Sequence, residues 1–354
     1  MPAMRDLAER ARWQVVAYVR TIGGVKLTLS TPGAGGSYLW DLPAGFPRPK
    51  VPADNPMSAE KVELGRHLFY DTRLSVDNTF SCASCHKQDL AFADEKARGV
   101  GVTGEVHPRG SMSLGNIGYS PVLTWANPTQ RKLETQALVP MFGEDPVELG
   151  LSGKEKEMLA KLAADPKYVE LFAKAFPGEA QPITLANVTK GIASFERVLI
   201  TGRSPYDRYR TGQDPIAISD SAKRGEELFF SERTECFHCH GGFNFTETAD
   251  YIGKGFLEIE FHNTGLYNVD VTAPYMHDGS IATLEEVIAH YEAGGRTIAG
   301  GPHAGDGSKS PLKSSFVKGF TLTPQERKDL VAFLKNLTDE EFLTDPQFGN
   351  PWKK

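Results

Sequence analysis

Two short cysteine motifs restrict what this chain can fold around. Residues 82–86 read CASCH and residues 236–240 read CFHCH, and these motifs contain all four cysteines of the 354-residue chain. A histidine directly after the second cysteine is typical of covalently attached haem c. Zinc and dithiol redox sites also use Cys-x-x-Cys. However, about 150 residues separate the motifs, against roughly 15–20 in a four-cysteine zinc site, and a dithiol site needs no such histidine.

The haem interpretation assigns a role to each motif residue. Two thioether bonds hold each porphyrin, and the histidine that follows turns back to bind the iron. The predicted attachment residues are Cys82, Cys85, Cys236 and Cys239, and the predicted proximal ligands are His86 and His240. His238 lies inside the second motif and lacks this geometry, so we expect a surface or spacer residue there.

A repeated segment precedes both motifs. LGRHLFYDTRLS, residues 64–75, and RGEELFFSERTE, residues 224–235, share the pattern G-x-x-L-F-aromatic-x-x-R. Each copy predicts a helix whose apolar face packs on the haem that follows. Strand patterns are scarce. The sequence therefore predicts a mainly α fold with two cytochrome c-like domains, each with one covalently attached haem c.

Further helix signals place the domain boundaries. LTPQERKDLVAFLKNL begins with a capping box of Thr323 and Glu326, and ITLANVTKGIASFERVLI is amphipathic. We expect a Pro-rich, largely irregular N-terminal extension (1–56), a first cytochrome domain (57–212), a second (213–340) and a C-terminal tail (341–354). The break between the domains is predicted within TGQDPIAISD, residues 211–220.

The segment TLEEVIAHYEAGG, residues 283–295, predicts one more helix. Thr283 and Glu286 form a capping box, Gly294 provides a stop, and Ile288 and Tyr291 fall on the same apolar face. Tyr291 is then either a core tyrosine with a hydrogen-bonded hydroxyl or a tyrosinate ligand of the second iron. Periodicity leaves both possibilities open.

Composition restricts the partners. The net charge of −6 comes from mixed acidic and basic residues, which provides no basic stripe for nucleic acid. No apolar run approaches the roughly 18 residues of a membrane span. The first forty residues contain one short apolar patch, VVAYV, and no clean signal peptide.

The order of these motifs resembles the bacterial di-haem cytochrome c peroxidase and MauG superfamily over about residues 57–340. The resemblance rests on LGRHLFYDTRLS, SCASCH, VPMFGEDPVELG, CFHCH and TAPYMHDGSIATLEEVIAHY. LPAGFPRPKVPADNPMS and FHNTGLYNV are most similar to the MauG-like branch that includes MbnH. That branch is associated with a small copper-binding partner, MbnP, in which a tryptophan is oxidised to kynurenine.

The resemblance implies a ligand for the second iron. Where the peroxidases place a methionine, this chain has Tyr291, as MauG-like enzymes do, so Tyr291 is expected to bind that iron. Met276 and His277, in the preceding turn, are rival ligands. Calcium between the haems is usual in the superfamily, held partly by carbonyls that correspond to Thr272 and Pro274. The asparagine that the peroxidases contribute corresponds here to Gly110, and Asn116 is a possible substitute.

The resemblance also implies a first iron with a position open to peroxide. Glu148 corresponds to the acid-base glutamate, Pro140 to the proline that shapes the distal pocket, and Trp125 to the segment between the haems. Glu144 and Asp145 are competitors for the acid-base role. A gapless match puts Val102 where some peroxidases bind a removable histidine, and His107 lies nearby as an alternative sixth ligand.

The implied activity is that of an enzyme. Hydrogen peroxide reacts at the first haem to form a high-valent di-haem state, and long-range electron transfer then oxidises a residue of a partner protein. That residue is expected to be a tryptophan, converted to kynurenine, in an MbnP-like copper-binding protein. The alternative is a di-haem cytochrome c peroxidase supplied by a small cytochrome, and a third possibility is a non-enzymatic electron carrier. Haem c is attached outside the cytoplasm, which predicts a periplasmic protein despite the missing leader.

Overall fold

The computed structural model describes residues 38–125, 127–246, 265–301, 304–311 and 313–353. The described residues from Leu39 onward belong to one compact unit. Most regular structure within them is helical, which confirms the predicted mainly α class. Among the same residues, no helix has the length and apolar character needed to cross a bilayer.

The α-helices are α1 (Ala59–Phe69), α2 (Leu133–Gln136), α3 (Leu138–Phe142), α4 (Glu155–Ala163), α5 (Pro166–Ala175), α6 (Leu185–Arg197), α7 (Pro205–Arg210), α8 (Asp220–Phe229), α9 (Leu284–Glu292), α10 (Pro324–Lys335) and α11 (Glu340–Thr344). Short 3₁₀ helices cover Thr72–Leu74, Cys82–Ser84, Gln88–Leu90, Ile117–Tyr119, Cys236–His238, Val269–Val271 and Gly307–Lys309. Two short strands, β1 (Thr297–Ile298) and β2 (Gly305–Asp306), pair antiparallel.

The first repeat corresponds to the predicted domain 57–212 and the second repeat to the predicted domain 213–340. The four helices that build the two repeats begin at hydroxyl caps. The side chains of Ser58, Thr184, Ser219 and Thr323 each accept a hydrogen bond from a backbone N–H in the first turn of α1, α6, α8 and α10. In α10, Glu326 completes the predicted capping box. Each such cap is worth about 1 kcal/mol, so these helix starts are determined locally.

A glycine lies at the helix crossing in each repeat. A Cβ atom on Gly65 of α1 would lie 1.9 Å from the carbonyl oxygen of Gly191 on α6. A Cβ atom on Gly225 of α8 would lie 1.9 Å from the carbonyl oxygen of Asp329 on α10. The two backbones touch in the same way in both copies. The crossing therefore requires glycine and confirms the duplication seen in the sequence.

Equivalent aromatic pairs fill the space beside the two crossings. The ring centroids of Phe69 and Phe195 lie 5.2 Å apart in the first repeat, and those of Phe229 and Phe333 lie 5.1 Å apart in the second. All four side chains are buried. Because Phe195 corresponds to Phe333, positions on α6 and α10 can be matched one by one.

Two asparagines lock the repeats to each other. Asn116 and Asn268 both have a left-handed φ, of 62° and 61°, and both precede a 3₁₀ helix. The side-chain oxygen of Asn116 accepts from the Thr201 N–H at 3.0 Å, and that of Asn268 accepts from the Asp339 N–H at 2.7 Å. The Asn268 amide also donates to the Thr201 hydroxyl at 3.0 Å, so both asparagines bind Thr201.

The predicted C-terminal tail (341–354) is described up to residue 353, and this part packs on the first repeat. The Tyr70 hydroxyl donates to the carbonyl oxygen of Phe348 at 2.8 Å. The Trp352 indole N–H donates to the carbonyl oxygen of His67 at 3.0 Å. The segment therefore completes the surface of a domain that begins roughly 300 residues earlier in the sequence.

Only part of the predicted N-terminal extension is described. Residues 38–56 contain no helix or strand, in line with the expected irregular chain, and residues 1–37 lie outside the described residues. The Phe46 ring lies 5.1 Å from that of Phe243, and the Tyr119 hydroxyl donates to the carbonyl oxygen of Pro47 at 2.7 Å. This stretch is thus attached to both repeats.

Two candidate haem cavities

The first cysteine motif lines a cavity of about 530 Å³. Cys82, Cys85 and His86 all contribute to its wall. The Nδ1 atom of His86 lies 2.7 Å from the carbonyl oxygen of Phe92, which makes Nδ1 the N–H donor. Nε2 is then the nitrogen with a free lone pair, as a proximal iron ligand requires. Burial lowers the pKa of His86, so the neutral, ligating form is favoured.

The second motif lines a cavity of about 390 Å³ in the same manner. The Nδ1 atom of His240 lies 3.3 Å from the carbonyl oxygen of Phe245, and burial lowers the pKa of His240 to about 4. Phe92 and Phe245 both adopt a left-handed φ, of 59° and 51°. The chain therefore turns back behind each histidine in the same conformation.

Both cavities fit haem c. Their volumes lie within the range of about 300–1,000 Å³ for cofactor pockets. Each offers two cysteines without a disulfide and one imidazole whose outer nitrogen is fixed by a backbone carbonyl. Carbonyls in this position orient metal-binding histidines and make them more basic. In each cavity the donor set is complete for thioether attachment and one axial bond.

Glu148 and Pro140 both line the first cavity. Burial alone raises the pKa of Glu148 to about 7, which suits a group that both takes and gives a proton near neutral pH. The competing Glu144 is exposed and accepts a hydrogen bond from Ser152 at 2.6 Å. Asp145 is exposed, although it also lines the cavity. Burial thus favours Glu148 among the three acids.

His107 is the residue of the 99–110 loop that brings a ligating atom to the first cavity. It lines the cavity together with Gly99 and Gly101. The backbone N–H of Val102 instead donates to the Glu148 carbonyl oxygen at 2.7 Å, which ties this loop to the acid's own loop. Ligation of the first iron by His107 stays a prediction.

Tyr291 lies on α9 and lines the second cavity. Thr283 and Glu286 form the predicted capping box at the start of this helix. Burial raises the pKa of Tyr291 to about 12. Among the described residues, none forms a hydrogen bond with its hydroxyl, and so the interpretation as a hydrogen-bonded core tyrosine gains no support from them. A phenol facing a cavity beside a histidine has the arrangement that an axial ligand needs.

The rival ligands Met276 and His277 line the same cavity. Met276 has a φ of 70°, in the turn before α9. The His277 carbonyl oxygen accepts from the Gly110 N–H at 2.9 Å, which links the turn to the first repeat. All three candidate ligands of the second iron are therefore brought together.

Trp125 lines both cavities. Its indole N–H donates to the Gly110 carbonyl oxygen at 2.9 Å, and its ring lies 6.4 Å from that of His277. These contacts come from both repeats and fix the ring in the wall that the cavities share. The role of Trp125 between the two haems stays a prediction.

The residues predicted to bind calcium are less well placed. Thr272 and Pro274 line the second cavity. The Asn116 amide instead donates to the Thr201 carbonyl oxygen and to Asn244, each at 2.8 Å, and its oxygen accepts from the Thr201 N–H. Asn116 thus serves the contact between the repeats. Its use as a calcium ligand has no support in this geometry, and calcium at Thr272 and Pro274 stays a prediction.

Glu196 is a cavity residue that the sequence interpretation missed. It lies on α6, is buried, and lines the first cavity. The signal was a charged residue on an apolar helix face, because Ile192, Phe195, Glu196 and Leu199 follow the spacing of one buried stripe.

Two such cavities in one helical unit define a cytochrome with two c-type haems. The family of di-haem cytochrome c peroxidases matches residues 59–215, and the cytochrome c family matches residues 222–338. Methylamine utilization protein MauG of Methylorubrum extorquens is 33% identical over 339 residues, covering 90% of each chain. Cytochrome-c peroxidase IdrP1 of Denitromonas iodatirespirans is 33% identical over 358 residues, covering 87% of this chain and 90% of the relative.

One solved structure is more similar in sequence than these relatives. It is described as a MauG-like protein associated with microbial copper homeostasis, and it is 41% identical with a TM-score of 0.86, covering 90% of this chain and 100% of that chain. The chain belongs to the di-haem cytochrome c peroxidase and MauG family. It is a peroxide-dependent oxidoreductase with two covalently attached haems c, and the predicted enzyme class, fold class and haem content are confirmed.

Proposed function

We propose that this enzyme reacts with hydrogen peroxide at the first haem and oxidises a tryptophan of a partner protein to kynurenine. Tyr291 in the second cavity is the observation that carries the proposal. A phenolate is a hard, anionic donor that stabilises oxidised iron, whereas a methionine thioether raises the potential and favours the reduced state. Such a centre suits an enzyme that retains oxidising equivalents until a protein substrate donates electrons.

At the first cavity, Glu148 transfers a proton between the two peroxide oxygens. The haem, when attached, supplies the iron that reacts with peroxide. The Glu148 carboxylate takes the proton from one peroxide oxygen and returns it to the other, which leaves as water. Its pKa of about 7 allows both transfers near neutral pH. Pro140 contributes an apolar wall without a side-chain ligand.

Trp125 connects the two cavities for electron transfer. Its indole lies in their common wall and is held by the 2.9 Å hydrogen bond to Gly110. An oxidisable ring in this place divides one long electron step into two shorter ones. The partner's electrons then reach the first cavity through the second repeat and Trp125.

The partner is proposed to be a small copper-binding protein of the MbnP kind, and the enzyme to belong to the MbnH branch. The similarity to a MauG-like protein associated with microbial copper homeostasis supports this assignment. We place both proteins in the periplasm, since haem c is attached outside the cytoplasm.

A second candidate function is that of a cytochrome c peroxidase. The equal identity to cytochrome-c peroxidase IdrP1 favours it. In this case electrons from a small reduced cytochrome enter at the second haem merely to reduce peroxide to water. A non-enzymatic electron carrier, the third possibility, would show no reaction with peroxide at all.

One experiment separates these functions. The ferric protein with both haems attached is examined by optical and electron paramagnetic resonance spectroscopy, before and after one equivalent of peroxide. Our proposal expects one high-spin centre, one low-spin centre with histidine and tyrosine ligands, and an oxidised state that persists until a protein substrate is added. Methionine ligation and fast turnover with a reduced small cytochrome would indicate the peroxidase.

A further inference from the structure

Glu196 is a carboxyl in the wall of the first cavity that lacks a partner among the described residues. Its exposed fraction is 6%, and no described residue forms a hydrogen bond or ion pair with its side chain. The neighbouring guanidinium of Arg197 binds Glu134 instead, at 2.9 Å. A carboxyl buried without a partner is costly in its ionised form and is held as the neutral acid.

The second repeat shows that the fold does not need an acid at this position. Phe195 and Phe333 occupy equivalent places beside the two helix crossings. The next residue is Glu196 in the first repeat and Leu334 in the second, and each lines its own cavity. Glu196 therefore distinguishes the first repeat from the second, in which a leucine fills the equivalent position.

The surroundings of Glu196 favour its protonated form. Burial raises its pKa to about 8; the positive charge of Arg197 opposes this effect, and the negative charge of Glu134 adds to it. The other titratable or charged residues that line the same cavity are Cys82, Cys85, His86, His107, Arg109, Asp145 and Glu148. The cysteines form the thioether bonds, and Glu148 and Glu196 are the two acids of this lining whose pKa burial raises.

We propose that Glu196 is a proton-holding residue that compensates the charge of the first haem. When that haem loses an electron, the O–H bond of the Glu196 carboxylic acid breaks and the proton leaves to solvent. When the electron returns, one proton is taken up again. The electron acceptor is peroxide during turnover, and an electrode or a soluble mediator in a titration. The physical reason is that added positive charge in a low-dielectric cavity stabilises a nearby carboxylate.

This role differs from that of Glu148. Glu148 moves a proton between two oxygens of the substrate, whereas Glu196 keeps the net charge of the cavity constant as the haem changes oxidation state. The inference rests on a haem in the first cavity and is independent of the partner protein and of tryptophan oxidation. Its failure would leave the proposed function untouched.

A redox titration of the protein with both haems attached tests the inference. In the wild type, the midpoint potential of the first haem falls as pH rises between the pKa of Glu196 in the oxidised state and its higher pKa in the reduced state. Burial raises the pKa of Glu196 to about 8, so the titration covers the pH range on both sides of this value. E196Q keeps the shape of the side chain and removes the proton, so its midpoint potential depends less steeply on pH than that of the wild type. E148Q is the matched control and retains the slope at this pH. An identical slope in E196Q and the wild type would overturn the inference.

Infrared difference spectroscopy between the reduced and oxidised protein provides a second measurement. Oxidation is expected to remove a carbonyl band of a protonated carboxylic acid that shifts in D₂O. The band is absent from E196Q and present in E148Q. If E196Q fails to attach haem, E196L takes its place, since leucine occupies the equivalent position of the second repeat. Loss of the band in E196L supports Glu196, and a band that persists there overturns the inference.

Discussion

Replacing Glu148 by glutamine should slow the reaction with peroxide by about 10²–10⁴-fold, the usual contribution of a positioned acid-base group. Glutamine keeps the size of the side chain and cannot accept and return the proton. The structure also predicts the pH dependence of the wild type. Burial raises the pKa of Glu148 to about 7, and the reaction begins with the carboxylate. At roughly two units below this pKa, only about 1% of the carboxyls are ionised, so the rate falls about 100-fold.

Stopped-flow absorbance of the first haem, with peroxide in excess and pH varied, measures both effects. The matched control is E144Q, because Glu144 is exposed on the same loop and bonded to Ser152. E144Q should react within about twofold of the wild type, the change expected of a surface substitution. Two results would refute the assignment of the proton transfer to Glu148. One is an E148Q variant that reacts as fast as E144Q, and the other is a wild-type rate that does not change with pH around neutrality.

Three other substitutions have clear expected results, and a fourth serves as a control. Tyr291→Phe removes the phenol oxygen and should change the low-spin spectrum of the second haem. An unchanged spectrum would rule out phenolate ligation. Trp125→Phe should slow electron exchange between the haems after a laser-triggered reduction, while both midpoint potentials stay within error of the wild-type values. An exchange rate equal to that of the wild type would exclude the indole from the electron-transfer path. Gly225→Ala places a methyl group 1.9 Å from the Asp329 carbonyl oxygen and should lower the free energy of unfolding by about 1–3 kcal/mol in urea titrations. Gly300→Ala, with no atom within 4 Å, should change it by less than about 0.5 kcal/mol, and equal losses would contradict the crossing.

Features set by neighbouring residues were predictable from the sequence. The capping boxes at Thr283 and Thr323 appear where the local pattern placed them, since a cap needs only residues three apart. The two Cys-x-x-Cys-His motifs led directly to the cavities and their histidines, because covalent attachment demands that spacing. The repeat also aligned Gly65 with Gly225, and the structure places both glycines at a helix crossing.

Features that depend on distant residues were not predictable in this way. Asn116 looked like a possible ion ligand, and its amide in fact joins the repeats through Thr201 and Asn244. Glu196 appeared as one charge in an amphipathic helix, and only the packing of α1 against α6 shows that it faces the first cavity. Hydrogen-bond partners more than 80 residues away leave no periodic signal in the chain.

The packing of the C-terminal segment, up to residue 353, on the first repeat affects when that repeat can complete its contacts. Tyr70 and His67 lie in the first helix region, yet the groups that bind them, at Phe348 and Trp352, follow both repeats in the chain. During synthesis a first domain ordinarily folds before its successor emerges. In this protein the N-terminal half leaves the ribosome long before the C-terminal segment that packs on it. The first repeat therefore cannot form these two hydrogen bonds until the end of the chain has been synthesised.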